Sequence, residues 1–311
     1  MLAFFANIFG YVLNFIYNIV NNYGLAIIIF SILIKILMIP ISIKQQKTMK
    51  KSQKIQSKMK EIQFKYKNNP EMLNKATQEL YKSENMSPFS GCLSAIIQII
   101  LLFAVFYLVR SPLTYMKKVD GSVTEKYTKI MRENNLSTNS AYPEIEIIRE
   151  LDNIRELKNK LIEENNEQEN KTDLSEINNE ELDSLDINMD FLGLNLAQIP
   201  TRSSDWKAYI IPILYVIVSV ISLKVVNKTN KTKKKEETLE NKEEKSLTKP
   251  EEEFDPMEQM NKNMNMMFPV MYLAVALIAP LGLALYWLMN SLLMIVEKLL
   301  LNKVLKDEEE N

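Results

Sequence analysis

Histidine is absent from this sequence and cysteine occurs once, at Cys92. Neither a zinc site of the usual ligands nor a Ser-His-Asp relay can be assembled from that inventory, and an intramolecular disulfide is excluded. No G-x-G-x-x-G or G-x-x-x-x-G-K-[ST] string occurs, and six glycines leave little material for phosphate-cradling loops, which argues against a nucleotide-driven enzyme. What remains is a cation in a costly place. Lys35 sits past the midpoint of the apolar run Leu25–Ile43, within the stretch YGLAIIIFSILIKILMIPISIKQQK that begins at Tyr23. An ammonium near the centre of a membrane helix costs about 2.5–3.5 kcal/mol on insertion-derived scales, so it needs a partner, a wet cavity or a route to the interface. Ser31 lies one turn earlier and shares its face. The chemistry open to such a group is non-covalent attraction of an acidic or polar ligand. The simpler reading is that Lys35 snorkels, because roughly eight residues at 1.5 Å each separate it from Ile43 and its stem is long. The residues alone leave both readings open.

The elements that must hold Lys35 follow from blocks of composition. The chain is 47% hydrophobic and 25% charged, and its net charge of −1 hides segments of strong and opposite sign. Residues 23–43 are apolar and long enough for a first span. Before them, residues 1–22 carry Phe4, Phe5, Phe9, Tyr11, Phe15 and Tyr17, no lysine or arginine, and asparagines at 7, 14, 18, 21 and 22. They show no clear charged start or cleavage site of a secretory signal, and the wetter asparagine face predicts an interfacial helix on the outer surface. A spanning helix that reverses at residues 21–24 is the rival reading. After Ile43 the chain is dense in lysine (Lys44, Lys47, Lys50, Lys51, Lys54, Lys58), which places residues 44–86 on the cytoplasmic side by the positive-inside rule. Apolar residues at helical spacing, interrupted by Asn68-Asn69-Pro70, predict a helical hairpin there.

Residues 92–110 form a second span containing Gln98, whose amide could serve helix packing as well as a polar cavity. Residues 113–204 are an enlarged acidic loop, expected outside, with one helix over 145–162 and a largely disordered stretch over 165–188. A third span over 208–226 contains Pro212, and 227–262 is a charged cytoplasmic linker. Residues 264–279 and 281–301 are two more spans, parted by Pro280 and Gly282, and residues 302–311 form a cytoplasmic tail. The fold class is therefore all-α: a polytopic membrane protein with five transmembrane helices, an N-terminal interfacial helix and a cytoplasmic helical hairpin. The N-terminus is expected outside and the C-terminus inside.

Several separated motifs, in one order, resemble the YidC/Oxa family of membrane protein insertases. They are the span YGLAIIIFSILIKILMIPISIKQQKTMKK, with its basic residue and its Pro-x-x-x-Lys-Gln-Gln; Met86-Ser87-Pro88 and Gly91-Cys92 before Ile97-Gln98; Tyr209 to Leu214; Met266-Met267-Phe268-Pro269-Val270; and Pro280-Leu281-Gly282-Leu283-Ala284-Leu285-Tyr286-Trp287. The resemblance implies a groove open to cytoplasm and lipid and closed to the outside, with Lys35 at its floor. Bacterial members more commonly carry arginine there, a planar fork in place of a point charge. Ser31, Gln98, Asn290 and Ser291 are the polar residues expected to keep that groove hydrated, and Lys44, Lys47, Lys50, Lys51, Lys54 and Lys58 are the expected contacts of the hairpin. The family's large periplasmic domain and an N-terminal lipoprotein cysteine are not seen, as in the short form of single-membrane bacteria. The implied activity uses no covalent chemistry, nucleotide hydrolysis, cofactor or metal. Implied partners are nascent membrane proteins, the ribosome, the Sec translocon and anionic lipids, with no DNA. Two other classes stay in view: a secondary transporter or channel, against which the lack of an internal repeat argues, and a non-catalytic assembly scaffold.

Overall fold

In the computed structural model, residues 2–84, 90–136, 141–164, 177–240, 271 and 273–310 are described, and the statements below concern these residues. Four helical stretches among them are long and apolar enough to cross a membrane: Leu2–Val20, Tyr23–Thr48, Trp206–Val225 and Leu281–Leu301. Ile100–Arg110 is a shorter apolar helix. Only 22% to 33% of each long window is buried within the protein, and the rest is half-buried or exposed. The outward side chains are themselves apolar, including Leu25, Ile29, Ile32, Ile36 and Leu37 in the first window after Val20, and Ile213, Leu214, Ile217 and Ile221 further on. A soluble monomer does not carry apolar surface on that scale, and hydrocarbon is the solvent that fits it. The architecture is that of an all-α polytopic membrane protein.

Helix α1 (Leu2–Val20) leads into α2 (Tyr23–Lys65), whose first turn is capped by Asn22 accepting from the Leu25 amide. This second helix runs without interruption through Pro40 and out of its apolar part into the lysine-rich arm. A return helix, α3 (Pro70–Ser83), starts at a proline, where no amide is needed, and Asn69 caps it by accepting from Met72 N. It packs back on α2 through the Thr77 hydroxyl near the Met59 sulfur and the Lys58–Glu84 ion pair. Helix α4 (Ser90–Arg110) ends in a π-helical turn, Leu113–Lys117, closed by Lys118 in the left-handed region at φ 60°.

The segment between the second and third long apolar stretches folds against the ends of the bundle. It contains α5 (Gly121–Glu133), α6 (Pro143–Arg149), α7 (Leu151–Glu164), α8 (Asn179–Leu185) and a two-stranded antiparallel ladder, β1 (Asp190–Phe191) with β2 (Leu194–Asn195). Two expectations change here. The single helix expected over 145–162 is two, divided at Glu150. Residues 177–188, expected to be disordered, are ordered, because Ile177, Leu182, Leu185 and Ile187 are all buried in the same apolar cluster as Tyr127, Ile145 and Ile154. Few apolar residues are present in that stretch, yet each is used. The rest of the expected disorder, 165–176, lies outside the described residues. Within this segment Glu144 accepts the Thr114 amide at 3.0 Å and its hydroxyl at 2.6 Å, serving the start of the π-helical turn that has no cap of its own. Burial pushes the Glu144 carboxyl above the usual carboxylate range, against the opposing pull of these hydrogen bonds.

Residues 188–198 tie two helix ends together. The Tyr23 amide donates to Asn188 O at 3.0 Å, Leu281 N to Gln198 O at 2.9 Å and Gly282 N to Leu196 O at 2.9 Å. First-turn amides have no partner inside their own helix, and here loop carbonyls receive them. Phe191 packs against Gly24, where a Cβ would come within 2.5 Å of its ring. On the same side α1 lies along the π-helical turn. Gly10 meets the Tyr115 carbonyl so closely that a Cβ would overlap it, Lys118 reaches Asn7 Oδ1 at 2.7 Å, and the Tyr17 hydroxyl accepts from Asn188 N at 2.8 Å.

Two helices remain. Helix α9 (Ile210–Glu240) extends well past 226 into the stretch expected to be a linker, of which 241–262 lies outside the described residues. The expected span over 264–279 is described only at 271 and 273–279, of which 271 and 273–278 are helical. Helix α10 (Leu281–Glu310) carries the last apolar run and continues as helix through the expected tail. It packs along α9 through the Tyr215 and Trp287 rings, 6.0 Å apart, and along α2 through the residues described next.

Candidate functional site

Helices α2 and α10 both start at the loop-clamped end, where Gly282 sits 3.4 Å (from an added Cβ) from the Tyr23 ring. At 1.5 Å per residue, Lys35 and Glu297 lie roughly 18 Å and 22 Å below that level, close enough for a lysine stem to bridge. The structure joins them: Lys35 Nζ is 2.6 Å from Glu297 Oε2, with side-chain exposures of 19% and 12%. Of the partner, wet cavity or route to the interface that the sequence leaves open for Lys35, the structure supplies a partner. Its counter-ion comes from a helix that begins almost 250 residues later, beside Lys298, where an acid reads as the onset of a charged tail.

The neighbours of Lys35 are arranged in the opposite sense. Ile36 and Leu37 are 56% and 62% exposed. The charge therefore points inward and the apolar side chains outward, the reverse of a soluble protein and the pattern expected when the surroundings are lipid. Ser31 is buried on the same face, and its hydroxyl donates to the Ile27 carbonyl at 2.7 Å. Its single proton is thus committed to the helix backbone, leaving only acceptor capacity for a ligand. On α10, Asn290 and Ser291 are half-buried. Asn290, two turns before Glu297, shares its face; Ser291 is rotated away from it. The side chain of Gln98 lies outside the described residues, as do those of Lys50 and Lys54. Lys44, Lys47, Lys51 and Lys58 are exposed along the arm of α2, with Lys58 paired to Glu84.

Sequence reading missed Glu297. The available signal was an acid inside the last apolar run of a chain whose first apolar run holds a base, since charges in hydrocarbon pair with one another. One of its oxygens, Oε1, is buried and accepts no hydrogen bond from the described residues. A cavity of about 670 Å³ opens elsewhere, in the loop segment, lined by Asn135, Arg149, Glu150, Gln198 and Arg202 among others. Its two arginines already face carboxylates, Arg149 at 2.8 Å from Glu150 and Arg202 at 2.9 Å from Glu146.

These features define a class: an all-α polytopic membrane protein with a cation–carboxylate pair held between its second and last helices. Residues 15–309 match the sequence model of the family described as "60Kd inner membrane protein", and the chain belongs to that family, YidC/Oxa. Over 102 residues it is 38% identical to the "Membrane protein insertase YidC" of Fusobacterium nucleatum, a match covering 33% of this chain and 50% of that protein. The protein of the same name in Caldanaerobacter subterraneus is 39% identical over 110 residues, 35% of this chain and 53% of that one. A third, from Francisella tularensis subsp. novicida, is 39% identical over 109 residues but is covered over 20% of its length. The chain thus spans about half the length of the first two relatives.

Proposed function

We propose that this protein is a membrane protein insertase, which carries short polar flanks of nascent membrane proteins part of the way through the bilayer and releases their helices into lipid. It sits in a bacterial plasma membrane with the loop-clamped end outside and the lysine-rich arms of α2 and α3 in the cytoplasm, following the positive-inside rule. The chain's N-terminal helix lies along the outer surface, a reading supported by its contacts with the π-helical turn. The observation that carries the proposal is the inward turn of Lys35 beside the outward apolar face of α2. A polar flank crossing hydrocarbon leaves hydrogen-bonding groups unsatisfied at several kcal/mol each. A charged site reached from the cytoplasmic side, with its far end tied shut, shortens that crossing. Ser31, Asn290, Ser291 and Gln98 contribute polarity along the path. The substrate helix then moves onto the apolar faces of α2 and α10, driven by burial of its own surface at about 25 cal/mol per Å². No covalent step or nucleotide is required.

Lys44, Lys47, Lys50, Lys51, Lys54 and Lys58 receive the nascent chain and attract anionic lipid, and the same charge suits ribosomal RNA through release of counterions. The Sec translocon is a natural neighbour for such a device. Reconstitution tests the proposal. Purified protein in liposomes is expected to insert a short single-span substrate, scored by protease protection, without any added energy source. Transport of a solute, or binding of the substrate without insertion, would replace this reading with a transporter or a scaffold.

A further inference from the structure

We propose that Glu297 is a built-in acidic ligand of Lys35 and thereby sets which polar flanks the site accepts. The inference rests on the insertase reading and extends it to a residue that reading does not require. At 2.6 Å the Lys35 ammonium is already engaged by a carboxylate of the protein itself. A substrate carboxylate that approaches must either displace Glu297 or share the ammonium with it, and sharing puts two like charges beside one cation in a largely buried site. Glu297 therefore works against strongly acidic flanks. It also offers something to neutral ones. Its Oε1 is buried and accepts no hydrogen bond from the described residues, so a flank that brings an amide or hydroxyl proton to it relieves an unsatisfied acceptor. The face of α10 that carries Glu297 also carries Asn290 two turns away, so such a flank meets a second polar side chain on the same path.

A plainer role is available, since an ion pair across α2 and α10 also bolts two helices together. The two roles separate by selectivity. If Glu297 only holds the helices, its loss changes insertion of all substrates alike; if it competes for Lys35, its loss favours acidic flanks in particular. The experiment uses the full chain in liposomes and two single-span substrates identical except for a flank of two aspartates or two serines. For Glu297→Gln the ratio of acidic to neutral insertion is expected to rise about threefold or more over the unsubstituted protein, as interacting charges at close quarters do when one is removed. An unchanged or lower ratio overturns the inference, whatever happens to the absolute rates. If Glu297→Gln yields too little folded protein, Glu297→Asp carries the test, because it keeps the charge and draws it back by one methylene. A smaller rise in the same ratio supports the inference and an unchanged ratio overturns it. The unsubstituted protein serves as the control that distinguishes the two levels. Failure to insert either substrate removes the insertase reading and this inference with it, whereas insertion of both with a ratio indifferent to residue 297 removes only the inference.

Discussion

At the scale of single residues, the second oxygen of Glu297 is where a lysine and an arginine partner would differ. A lysine ammonium reaches one carboxylate oxygen at 2.6 Å and leaves the other buried without a partner among the described residues. A guanidinium presents a planar fork that can engage both at once. Lys35→Arg is therefore expected to keep insertion activity and to raise the melting temperature of the detergent-solubilised protein. Lys35→Glu sets two carboxylates against each other and is expected to abolish insertion of acidic-flanked substrates and to cost about 3 kcal/mol or more. Removing both charges together, as Lys35→Met with Glu297→Leu, should recover most of that stability while leaving acidic flanks uncaptured. Thermal unfolding of the three variants beside the insertion assay checks this, and a double variant as unstable as Lys35→Glu would contradict it. Lys35 itself was legible in the sequence because one charge in an unbroken apolar run is conspicuous at any reading. Glu297 was not, because pairing between distant helices leaves no mark at the level of spacing, and the adjacent Lys298 disguises the acid as part of a polar end.

At the scale of elements, the apolar helices were legible for the same reason that membranes are restrictive: hydrocarbon tolerates only segments that satisfy their own backbone. The folding of the loop segment was harder to read. Its order rests on scattered residues such as Ile177, Leu182 and Leu185, too sparse to form a run, and on a carboxylate, Glu144, that accepts from a backbone amide far away in sequence. Glu144 makes a testable pH dependence. Its folded carboxyl holds a proton more readily than in the unfolded chain, because burial outweighs the hydrogen bonds from Thr114 and Ser111. Its contribution to stability is therefore fully present below the ordinary glutamate value of 4.5 and is lost as pH rises through the elevated folded value. Hydrogen exchange of the amides in α6 and the π-helical turn should accelerate across that window beyond the intrinsic rate, and Glu144→Gln should flatten this excess. An excess of equal size in the variant would assign the pH dependence to another group.

At the scale of the whole molecule, the loop segment and the charged site belong to one device. Lys35 and Glu297 lie between α2 and α10, and the same two helices are joined at their starts by residues 188–198 through the Tyr23, Leu281 and Gly282 amides. On the proposed insertase reading the polar path must stop short of the far side, and the clamp at the helix starts is the element that would close it. Replacing residues 188–198 with a flexible Gly-Ser stretch of equal length leaves both helices and the ion pair in the sequence but returns three first-turn amides to solvent or to no partner. Liposomes bearing the unaltered protein are expected to hold a proton gradient, whereas those bearing the replacement should leak it, with the leak reduced when Lys35 and Glu297 are also exchanged for Met and Leu. That last comparison is the informative one. Leakage indifferent to the ion pair would mean that the clamp only stabilises the bundle, while leakage that follows the pair would mean that the polar path runs between α2 and α10 and that the loop segment is its outer wall.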